Sequence, residues 1–350
     1  MDLLPSATDK GLSFCRAAAE LKKPIADVGR FTNAKSEDVC NCSVLLPLSD
    51  DQQTINYLVG AFSFCSESHR PTPLGACRFQ SLSNHATLAV MNTSSLAALV
   101  EFAGRLADTG GEVVRRYFRT PLEVDRKDDE TPVTIADREA EAAMRALIEQ
   151  TYPDHGIVGE EYGHHQADAE QVWVLDPIDG TKAFISGKPM FGTLIAFVEA
   201  GRPKLGVIDQ PVLGERWLGG AGQGTTFNGR AVTTRSCPEA ADALLNATAP
   251  DMFRHEDAAC FARLSARVHQ TMFGGDCYAY GLLASGFIDL VVEAMLQPYD
   301  FCALVPVVQG AGGTMTDWRG RELTIKSDGR VVAAGDPTLH LRAVEALAAS

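Results

Sequence analysis

Hydrophobic positions along the chain become regular from about residue 91, where apolar side chains recur at helical spacing. Ser94 or Ser95 can cap the start of a first helix. Its apolar positions are Leu96, Leu99, Val100, Ala103, Leu106, Val113 and Val114. A second helix is predicted after the segment Thr134–Asp137. Its apolar face comprises Ala140, Ala143, Met144, Leu147 and Ile148. The pattern therefore predicts two amphipathic helices at the start of a folded region.

The next part of the chain has the pattern of a sheet. Short apolar runs predict strands at 172–175, 193–198 and 205–208, and Asn228-Gly229 is a hairpin turn signal. The glycine-rich run 219–224 resembles a nucleotide loop, but it opens no helix, so a hairpin turn is favoured. From residue 237 onward, strands alternate with helices, and the last helix is predicted at 339–348. The fold class expected is mixed α/β (α+β), with subdomains at about 91–236 and 237–350.

Residues 1–90 have a different character, with scattered Ser, Asn and Cys and no glycine-punctuated strands. We treat them as an N-terminal extension of unknown role and uncertain order, with Met91 as a second candidate start. An organelle transit peptide is poor in acids, and no apolar core of a secretory signal is visible. Four acids in this segment therefore favour a cytoplasmic protein, namely Asp2, Asp9, Glu20 and Asp27.

The composition of the chain says more about its possible binding partners than about its fold. With 350 residues, 45% of them hydrophobic and 22% charged, the chain has ordinary globular composition. A net charge of −14 makes nucleic acid and anionic lipid unfavourable partners, and no stretch is apolar enough to span a membrane. The nine cysteines include no C-x-x-C pair, and Cys40-Asn-Cys42 has no partner at zinc spacing. The cysteines are therefore expected to be reduced thiols.

The candidate chemistry lies in Asp176-Pro-Ile-Asp179, which directly follows an apolar strand. Two carboxylates so close to each other repel unless a cation lies between them, and hard oxygen ligands suit Mg²⁺ or Mn²⁺. Gly180 permits close backbone approach, and the amides near Thr181 can hold phosphate oxygens. Asp-Pro and Asp-Gly pairs also occur in ordinary turns. If these residues are considered by themselves, an ordinary turn therefore stays open as an alternative.

Two more acids extend the candidate metal site, namely Glu160 in Gly-Glu-Glu and Asp300 in Pro-Tyr-Asp. Other candidates have simpler structural explanations. The pair His164-His165 is predicted to be two hydrated loop histidines, and 128–130 a solvated acidic loop. Trp217 is predicted to pack within a strand. No serine or cysteine nucleophile motif is present, so direct attack by water is favoured over a covalent intermediate.

The motif Asp176-Pro-Ile-Asp-Gly-Thr181, with the upstream Glu160 and the downstream Asp300, resembles the inositol monophosphatase superfamily of Mg²⁺-dependent, lithium-sensitive phosphatases. The resemblance runs from about Met91 to the end of the chain and implies a layered α-β-α-β-α fold. Within the superfamily, three stretches look most like histidinol-phosphate phosphatases, namely 181–193, 206–217 and 274–280. Tyr299 departs from the tryptophan of many members, which fits that branch and leaves Asp300 intact.

The resemblance also implies a role for each residue of the motif. Two or three Mg²⁺ ions, or Mn²⁺, would be bound by Glu160, Asp176, the Ile178 carbonyl, Asp179 and Asp300. Thr181, with Asp137 behind it and Glu160 nearby, would orient the attacking water. The amides of Gly180 and Thr181 would bind the phosphate, and Lys127 aligns loosely with a lysine at the mouth of the site. A homodimer is implied as well.

The leading substrate expected from this resemblance is L-histidinol phosphate, a small phosphorylated amino alcohol of histidine biosynthesis. Its ammonium group favours an acidic pocket, for which Glu293 and Asp276 are candidates. Asp276 can equally be an ordinary capping or loop acid. Two alternatives stay open: an inositol phosphate or 3′-phosphoadenosine nucleotide as the substrate, and a catalytically inactive regulatory or binding homologue.

Overall fold

The computed structural model describes the backbone of residues 25–32, 38–48, 57–66, 85–121, 124–126, 132–220 and 222–348. It describes the side chains of residues 96–121, 125, 134–220 and 222–348. The chain divides into two compact units, residues 1–95 and 96–350. Three calls from the sequence lie outside the described side chains: the Cys40/Cys42 pair, Lys127 and the acidic loop 128–130.

The described part of the first unit contains a three-stranded antiparallel sheet in the order β1-β2-β3. Its strands are β1 (Ile25–Thr32), β2 (Asp38–Leu48) and β3 (Tyr57–Ser66). The sequence pattern did not predict these strands. Cys, Ser and Asn interrupt the alternation of apolar and polar residues in β2, which hides its strand period.

Two helices are confirmed, with one correction to the start of the first. Helix α1 covers His85–Tyr117, so Ser94 and Ser95 lie inside it and do not cap it. Helix α2 covers Ile135–Thr151 and begins at the cap residue Thr134. The Thr134 hydroxyl accepts a hydrogen bond from the Ala136 amide at 3.1 Å, which satisfies one donor of the first turn. Before α2, β4 (Val124–Arg126) and β5 (Pro132–Thr134) form an antiparallel ribbon.

The larger sheet follows α2. Its strands among the described residues are β6 (Gly156–Gly159), β7 (Gly163–His165), β8 (Gln171–Asp179), β9 (Gly192–Glu199), β10 (Arg202–Gln210), β11 (Glu215–Gly220), β12 (Gly224–Phe227) and β13 (Arg230–Val232). They are ordered β13-β12-β11-β10-β9-β8-β6-β7. The three strands predicted from apolar runs are β8, β9 and β10. Asn228 and Gly229 have φ of 46° and 77° between β12 and β13, as a two-residue hairpin turn requires.

A second sheet of the same unit has the order β15-β14-β16-β18-β17. Its strands are β14 (Leu244–Ala247), β15 (Gln270–Phe273), β16 (Leu290–Glu293), β17 (Thr314–Asp317) and β18 (Val331–Ala334). The helices of the second unit after β8 are α3 (Thr181–Ile185), α4 (Glu256–Ser265), α5 (Asp276–Ala284), α6 (Pro298–Phe301), α7 (Leu304–Gly310) and α8 (Pro337–Ala348). Short 3₁₀ turns lie at Ala240–Asp242 and Pro250–Met252.

Side-chain alternation along the strands builds a layered core. On β8, Trp173 and Leu175 pack with α1 and α2, whereas Val172 and Val174 face a cluster that includes α5, α6 and α7. The smaller sheet shares that cluster on one face and packs on α4 and α8 with the other. The second unit therefore has the expected α-β-α-β-α layers and a mixed α+β fold.

Close contact between the helix layer and the larger sheet depends on a glycine. A Cβ atom at Gly206 of β10 would lie 1.9 Å from the carbonyl oxygen of Ala303, immediately before α7. No side chain fits there, so α7 approaches the strand at backbone distance. None of the described helices combines the length and the apolar character needed to cross a bilayer.

Candidate active site

The end of β8 is the structural basis of the site. The strand is buried from Val172 to Ile178, and its register against β9 shifts between Asp176 and Asp179. The Ile178 amide donates to Asp176 Oδ1 at 3.0 Å, and the Thr193 hydroxyl donates to the Pro177 carbonyl at 2.8 Å. These bonds fix an irregular strand end that brings both carboxylates to one place.

Within the described part of the chain, three aspartates form a metal-sized cluster. One carboxylate oxygen each of Asp176, Asp179 and Asp300 lies within 4.8 Å of the other two. Asp300 comes from α6, where its carboxylate accepts a hydrogen bond from the Gln297 amide at 2.6 Å. The structure thus brings together residues that the sequence separates widely.

Electrostatics show that this cluster fits a cation. Burial is the main cause that raises the pKa of Asp176 and Asp179 well above its usual range, and neighbouring acids raise it further. Burial likewise raises the pKa of Asp300 to about 7. Buried carboxylates this close to one another are unfavourable as anions unless positive charge compensates them, and an all-oxygen donor set suits Mg²⁺.

Glu160 lies beside the cluster on the segment after β6, and it lines the same cavity of about 430 Å³ as Asp300. Its amide donates to the Leu175 carbonyl at 3.3 Å, which ties the segment to β8. It also interacts electrostatically with Asp176 and Asp300. The assignment of Glu160 as a metal ligand stays a prediction.

The segment that carries Glu160 is supported by two residues that sequence reasoning missed. The buried Glu141 of α2 accepts hydrogen bonds from the amides of Glu161, at 2.7 Å, and Tyr162, at 3.1 Å. Arg145 donates to Glu141 at 2.7 Å and also to the Gly163 carbonyl. Asp137, Glu141 and Arg145 are spaced four apart, and this charged row beside the apolar face of α2 was the available signal.

Asp137 and Thr181, the predicted water-orienting pair, have other described partners. Asp137 accepts from the Thr134 amide at 2.8 Å and from its hydroxyl at 2.6 Å, and burial raises the pKa of Asp137 to about 6. The Thr181 hydroxyl donates to the Ile178 carbonyl at 3.1 Å. That carbonyl is the predicted backbone ligand, so Thr181 lies next to the proposed metal site. The joint role of the pair stays a prediction.

Asp276 lies at the site as the first residue of α5. The next amide, of Cys277, donates to Asp179 at 2.6 Å, which connects α5 to the cluster. A Cβ atom at Gly180, where φ is 91°, would lie 3.0 Å from the Asp276 carboxyl carbon. Burial raises the pKa of Asp276 to about 6, and the charge of Lys182 opposes that shift. This acid therefore flanks the cavity, and its contact with the substrate stays a prediction.

Glu293 has a different environment from the one expected. It is only 3% exposed, and its carboxylate accepts hydrogen bonds from the Thr248 amide and hydroxyl and from the Tyr280 hydroxyl. Burial raises the pKa of Glu293 to about 7. Thr248 lines the cavity, whereas Glu293 packs against Thr248. A direct contact between Glu293 and the substrate thus stays a prediction, and the described contacts instead make Glu293 a support for Thr248.

The remaining candidates have mostly structural explanations, as predicted. His164 and His165 are exposed as expected, but they lie on the strand β7 and not in a loop. Trp217 is buried, and its indole donates to Ser285 at 2.9 Å, so it packs within the fold. Gly220 pairs with Gly224 across the turn between β11 and β12, which confirms the hairpin.

A sequence model described as the inositol monophosphatase family matches residues 95–350. The chain belongs to the inositol monophosphatase family. It is accordingly a phosphatase of that family, and the resemblance drawn from the motif is confirmed. The match begins almost where the second compact unit begins.

Several relatives and one solved structure illustrate the similarity. A bifunctional phosphatase IMPL2, chloroplastic, from Arabidopsis thaliana is 46% identical over 83% of this chain and 90% of its own length. A histidinol-phosphatase of Chlorobaculum parvum is 36% identical over 67% of this chain and 91% of its own. A solved inositol monophosphatase from Zymomonas mobilis shares 51% identity with a TM-score of 0.67, over 72% of this chain and 98% of its own.

Proposed function

We propose that this phosphatase hydrolyses L-histidinol phosphate to L-histidinol and phosphate, with Mg²⁺ or Mn²⁺ bound at the aspartate cluster. The convergence of Asp176, Asp179 and Asp300 beside Gly180 and Thr181 is the observation that carries the reaction type. Similarity to proteins named histidinol-phosphatase supports the substrate, as does the acid Asp276 at the cavity.

In the proposed reaction, a water oxygen bonds to phosphorus as the ester bond to the alcohol oxygen breaks. One proton of the water passes to the medium or a nearby base and the other stays on the product phosphate, while the leaving alkoxide gains one proton. Asp176, Asp179, Asp300, Glu160 and the Ile178 carbonyl would hold two or three divalent ions. When bound, these ions would supply positive charge to the phosphate and make water more acidic.

The chain's own groups position the reactants. The amides of Gly180 and Thr181, at the turn after β8, would bind phosphate oxygens and fix the phosphorus atom near the aspartates. The Thr181 hydroxyl, with Asp137 behind it, would orient the attacking water. Since phosphate monoesters hydrolyse very slowly without a catalyst, positioning and electrostatic stabilisation must supply most of the acceleration.

For the alcohol half of the substrate, Asp276 is the acid best placed to face the ammonium group. It lines the cavity together with Lys182 and Thr248. Glu293 would act from behind Thr248. A pocket with an acid at this point favours a substrate with a positive charge over a neutral polyol.

A panel of three phosphate esters tests the proposal. Purified protein with Mg²⁺ is assayed for phosphate release from histidinol phosphate, inositol 1-phosphate and 3′-phosphoadenosine 5′-phosphate. We expect the highest kcat/KM with histidinol phosphate. A higher value with either other ester would instead establish that ester as the substrate.

The panel also tests a second candidate function, inositol phosphate hydrolysis. Two observations favour it: the Arabidopsis relative is named bifunctional, and the Zymomonas structure is of an inositol monophosphatase. A protein named Nus factor SuhB from Salmonella typhimurium is also 30% identical over 72% of this chain. If the protein released phosphate from none of the three esters, that result would favour a catalytically inactive regulatory or binding homologue.

Assembly and location complete the proposal. We propose a homodimer that binds neither nucleic acid nor membrane, to be tested by light scattering of the purified chain. We also propose a cytoplasmic location, supported by the acids in residues 1–30. The Arabidopsis relative is named chloroplastic. Imaging of the full chain with a fluorescent protein at its C-terminus tests the location, and organelle import would contradict it.

A further inference from the structure

A second cavity adjoins the catalytic one and has a volume of about 500 Å³. Lys182, Thr248, Ala249 and Asp276 line both cavities. Gly180, Thr181 and Asp300 line the first cavity and not the second, so a phosphate group held there would direct the alcohol half of the ester past these shared residues. The second cavity is therefore the space next to the reacting bond in which a leaving group can lie.

The wall of the second cavity is largely apolar. Met190, Met272, Ala279, Leu282 and Ile288 contribute to it. A wall of this kind favours a flat ring over a polyol, since a polyol would leave its hydroxyl groups without hydrogen-bond partners.

Asn246 is one of the polar residues of this wall, which also include Ser186, Lys188 and Tyr278 and the shared Lys182, Thr248 and Asp276. It lies on β14 opposite Met272 of β15 and Val291 of β16, two residues before Thr248. Asn246 and Thr248, which follows the end of β14, both line the cavity. Asn246 thus extends the polar edge of the site away from the aspartates.

One polar atom of the Asn246 side chain has no hydrogen-bond partner within the described part of the chain. Its side chain is 9% exposed, and among the described residues Oδ1 has no hydrogen-bond partner. Buried polar atoms are nearly always hydrogen bonded, because leaving one without a partner is unfavourable. Rotation of the amide by 180° exchanges its oxygen and nitrogen, so either atom can face the cavity.

We propose that the Asn246 side-chain amide hydrogen bonds to a ring nitrogen of the substrate's imidazole, which lies in this second cavity. Oδ1 can accept from a ring N–H, or Nδ2 can donate to the unprotonated ring nitrogen. The inference rests on the proposed function, since it presumes a heteroaromatic amino alcohol as leaving group. It adds a residue that selects the ring, separate from Asp276, which faces the ammonium.

The test compares two substrates that differ in the ring. L-Histidinol phosphate has an imidazole, whereas L-phenylalaninol phosphate keeps the phosphate and the ammonium but has a ring without nitrogen. Asn246→Leu and Asn246→Ala both remove the amide, one with similar shape and one without added bulk. Met272→Leu is the matched control, because it changes the same wall without changing a polar group.

We expect both Asn246 variants to lower kcat/KM for histidinol phosphate by about 3- to 10-fold, as for one neutral hydrogen bond. Turnover of phenylalaninol phosphate should change by less than about twofold, and Met272→Leu should affect both substrates by the same factor. Asn246→Leu should also unfold at the same or a higher temperature, since it replaces an unsatisfied polar group. A purely structural Asn246 would show the opposite effect on stability.

Two outcomes overturn the inference, and they are distinguishable. If wild-type protein hydrolyses histidinol phosphate and the ratio between the two substrates does not change in the Asn246 variants, the ring contact is wrong and the proposed function stands. If wild-type protein does not hydrolyse histidinol phosphate, the proposed function and the ring contact fail together.

Discussion

At the scale of single residues, the site depends on carboxylates whose environments differ. Asp176 and Asp179 are buried with raised pKa values and lie close to Asp300, so a bound cation would stabilise their charged forms. Asp276 is close to Lys182 and keeps access to the cavity. Glu293 is already hydrogen bonded by Thr248 and Tyr280. Burial and partners therefore distinguish the acids proposed to bind metal, the acid proposed to face the substrate and the acid that supports Thr248.

Asp176→Asn should lower activity with saturating Mg²⁺ by at least ~100-fold, because it removes charge from the site that holds the ion. It should also reduce the increase in unfolding temperature that Mg²⁺ produces in the wild-type protein. Phosphate release and thermal unfolding with and without Mg²⁺ measure both effects. Full activity in this variant, or undiminished wild-type turnover in excess EDTA, would be incompatible with a metal site here.

Asp276→Asn should lower kcat/KM for histidinol phosphate by about 10-fold or more, since a hydrogen bond to a charged group contributes about 1.5–3 kcal/mol. Glycerol 2-phosphate has no ammonium, so its turnover should change much less. Asp251→Asn is the matched control, because Asp251 lines the catalytic cavity but is exposed. Equal losses on both substrates would show that Asp276 supports the metal site and does not select the substrate.

At the scale of elements, helix α2 organises the site from behind. Its first turn holds Asp137, and the next turns hold Glu141 and Arg145, which bind the backbone around Glu160. Helix α5 contributes the Cys277 amide to Asp179. These contacts connect helix packing directly to the position of the acids that we propose bind metal.

Glu141→Ala should lower the free energy of unfolding by about 3 kcal/mol, because it leaves a buried arginine and two amides without their acceptor. It should also lower kcat/KM, since the segment with Glu160 loses its support. Glu141→Gln keeps an acceptor and should cost less on both measures. Urea unfolding and phosphate release test this, and an Ala variant as stable as wild type would contradict the supporting role.

The packing of α8 on β17 predicts a dependence of stability on pH. His340 is buried, and its ring lies 2.8 Å from the Thr316 hydroxyl. Burial lowers the pKa of His340 below its usual value of ~6.5. As the pH falls through ~6.5, the unfolded chain binds a proton that the folded chain does not yet bind, so stability is present above this pH and is lost below it.

His340→Gln should therefore show a smaller loss of unfolding free energy between pH 8 and pH 5.5 than wild type, by at most about 1.4 kcal/mol. Urea unfolding of both proteins at the two pH values measures the difference. An identical pH dependence in the two proteins would show that His340 does not titrate in this way.

At the scale of the whole molecule, the second compact unit contains every residue of the proposed site. It covers residues 96–350 and coincides closely with the family match at 95–350. The solved Zymomonas relative matches over 98% of its own chain while covering 72% of this one. The Zymomonas protein therefore has this fold although it has no counterpart of the complete first unit.

A chain beginning at Met91 should be expressed, remain soluble and hydrolyse the substrate with near-wild-type kcat/KM. The shortened chain loses the first residues of α1, whereas the buried face of that helix from Leu99 onward is retained. Gel filtration and kinetics of the two proteins measure the effect. Aggregation or loss of activity would mean that the catalytic unit needs the preceding segment.

The sequence by itself determined several helices and strands of the second unit and the central motif. Short apolar runs predicted β8, β9 and β10, Asn228-Gly229 predicted a hairpin, and Asp176-Pro-Ile-Asp-Gly-Thr181 indicated the metal and phosphate chemistry. These features could be predicted because an apolar run, a turn dipeptide and a carboxylate pair each depend only on neighbouring residues. The predicted start of helix α1 was wrong because a serine that can cap a helix can also lie inside one.

Only the tertiary structure decided which distant residues meet at that motif. Asp300 joins Asp176 and Asp179, Glu141 lies behind the segment of Glu160, and Glu293 packs on Thr248. These contacts depend on how the helix layer packs between the two sheets, and no local sequence pattern predicts that packing. A buried polar group reveals its role only when its partners are known, and for Asn246 the structure shows no protein partner for Oδ1 among the described residues.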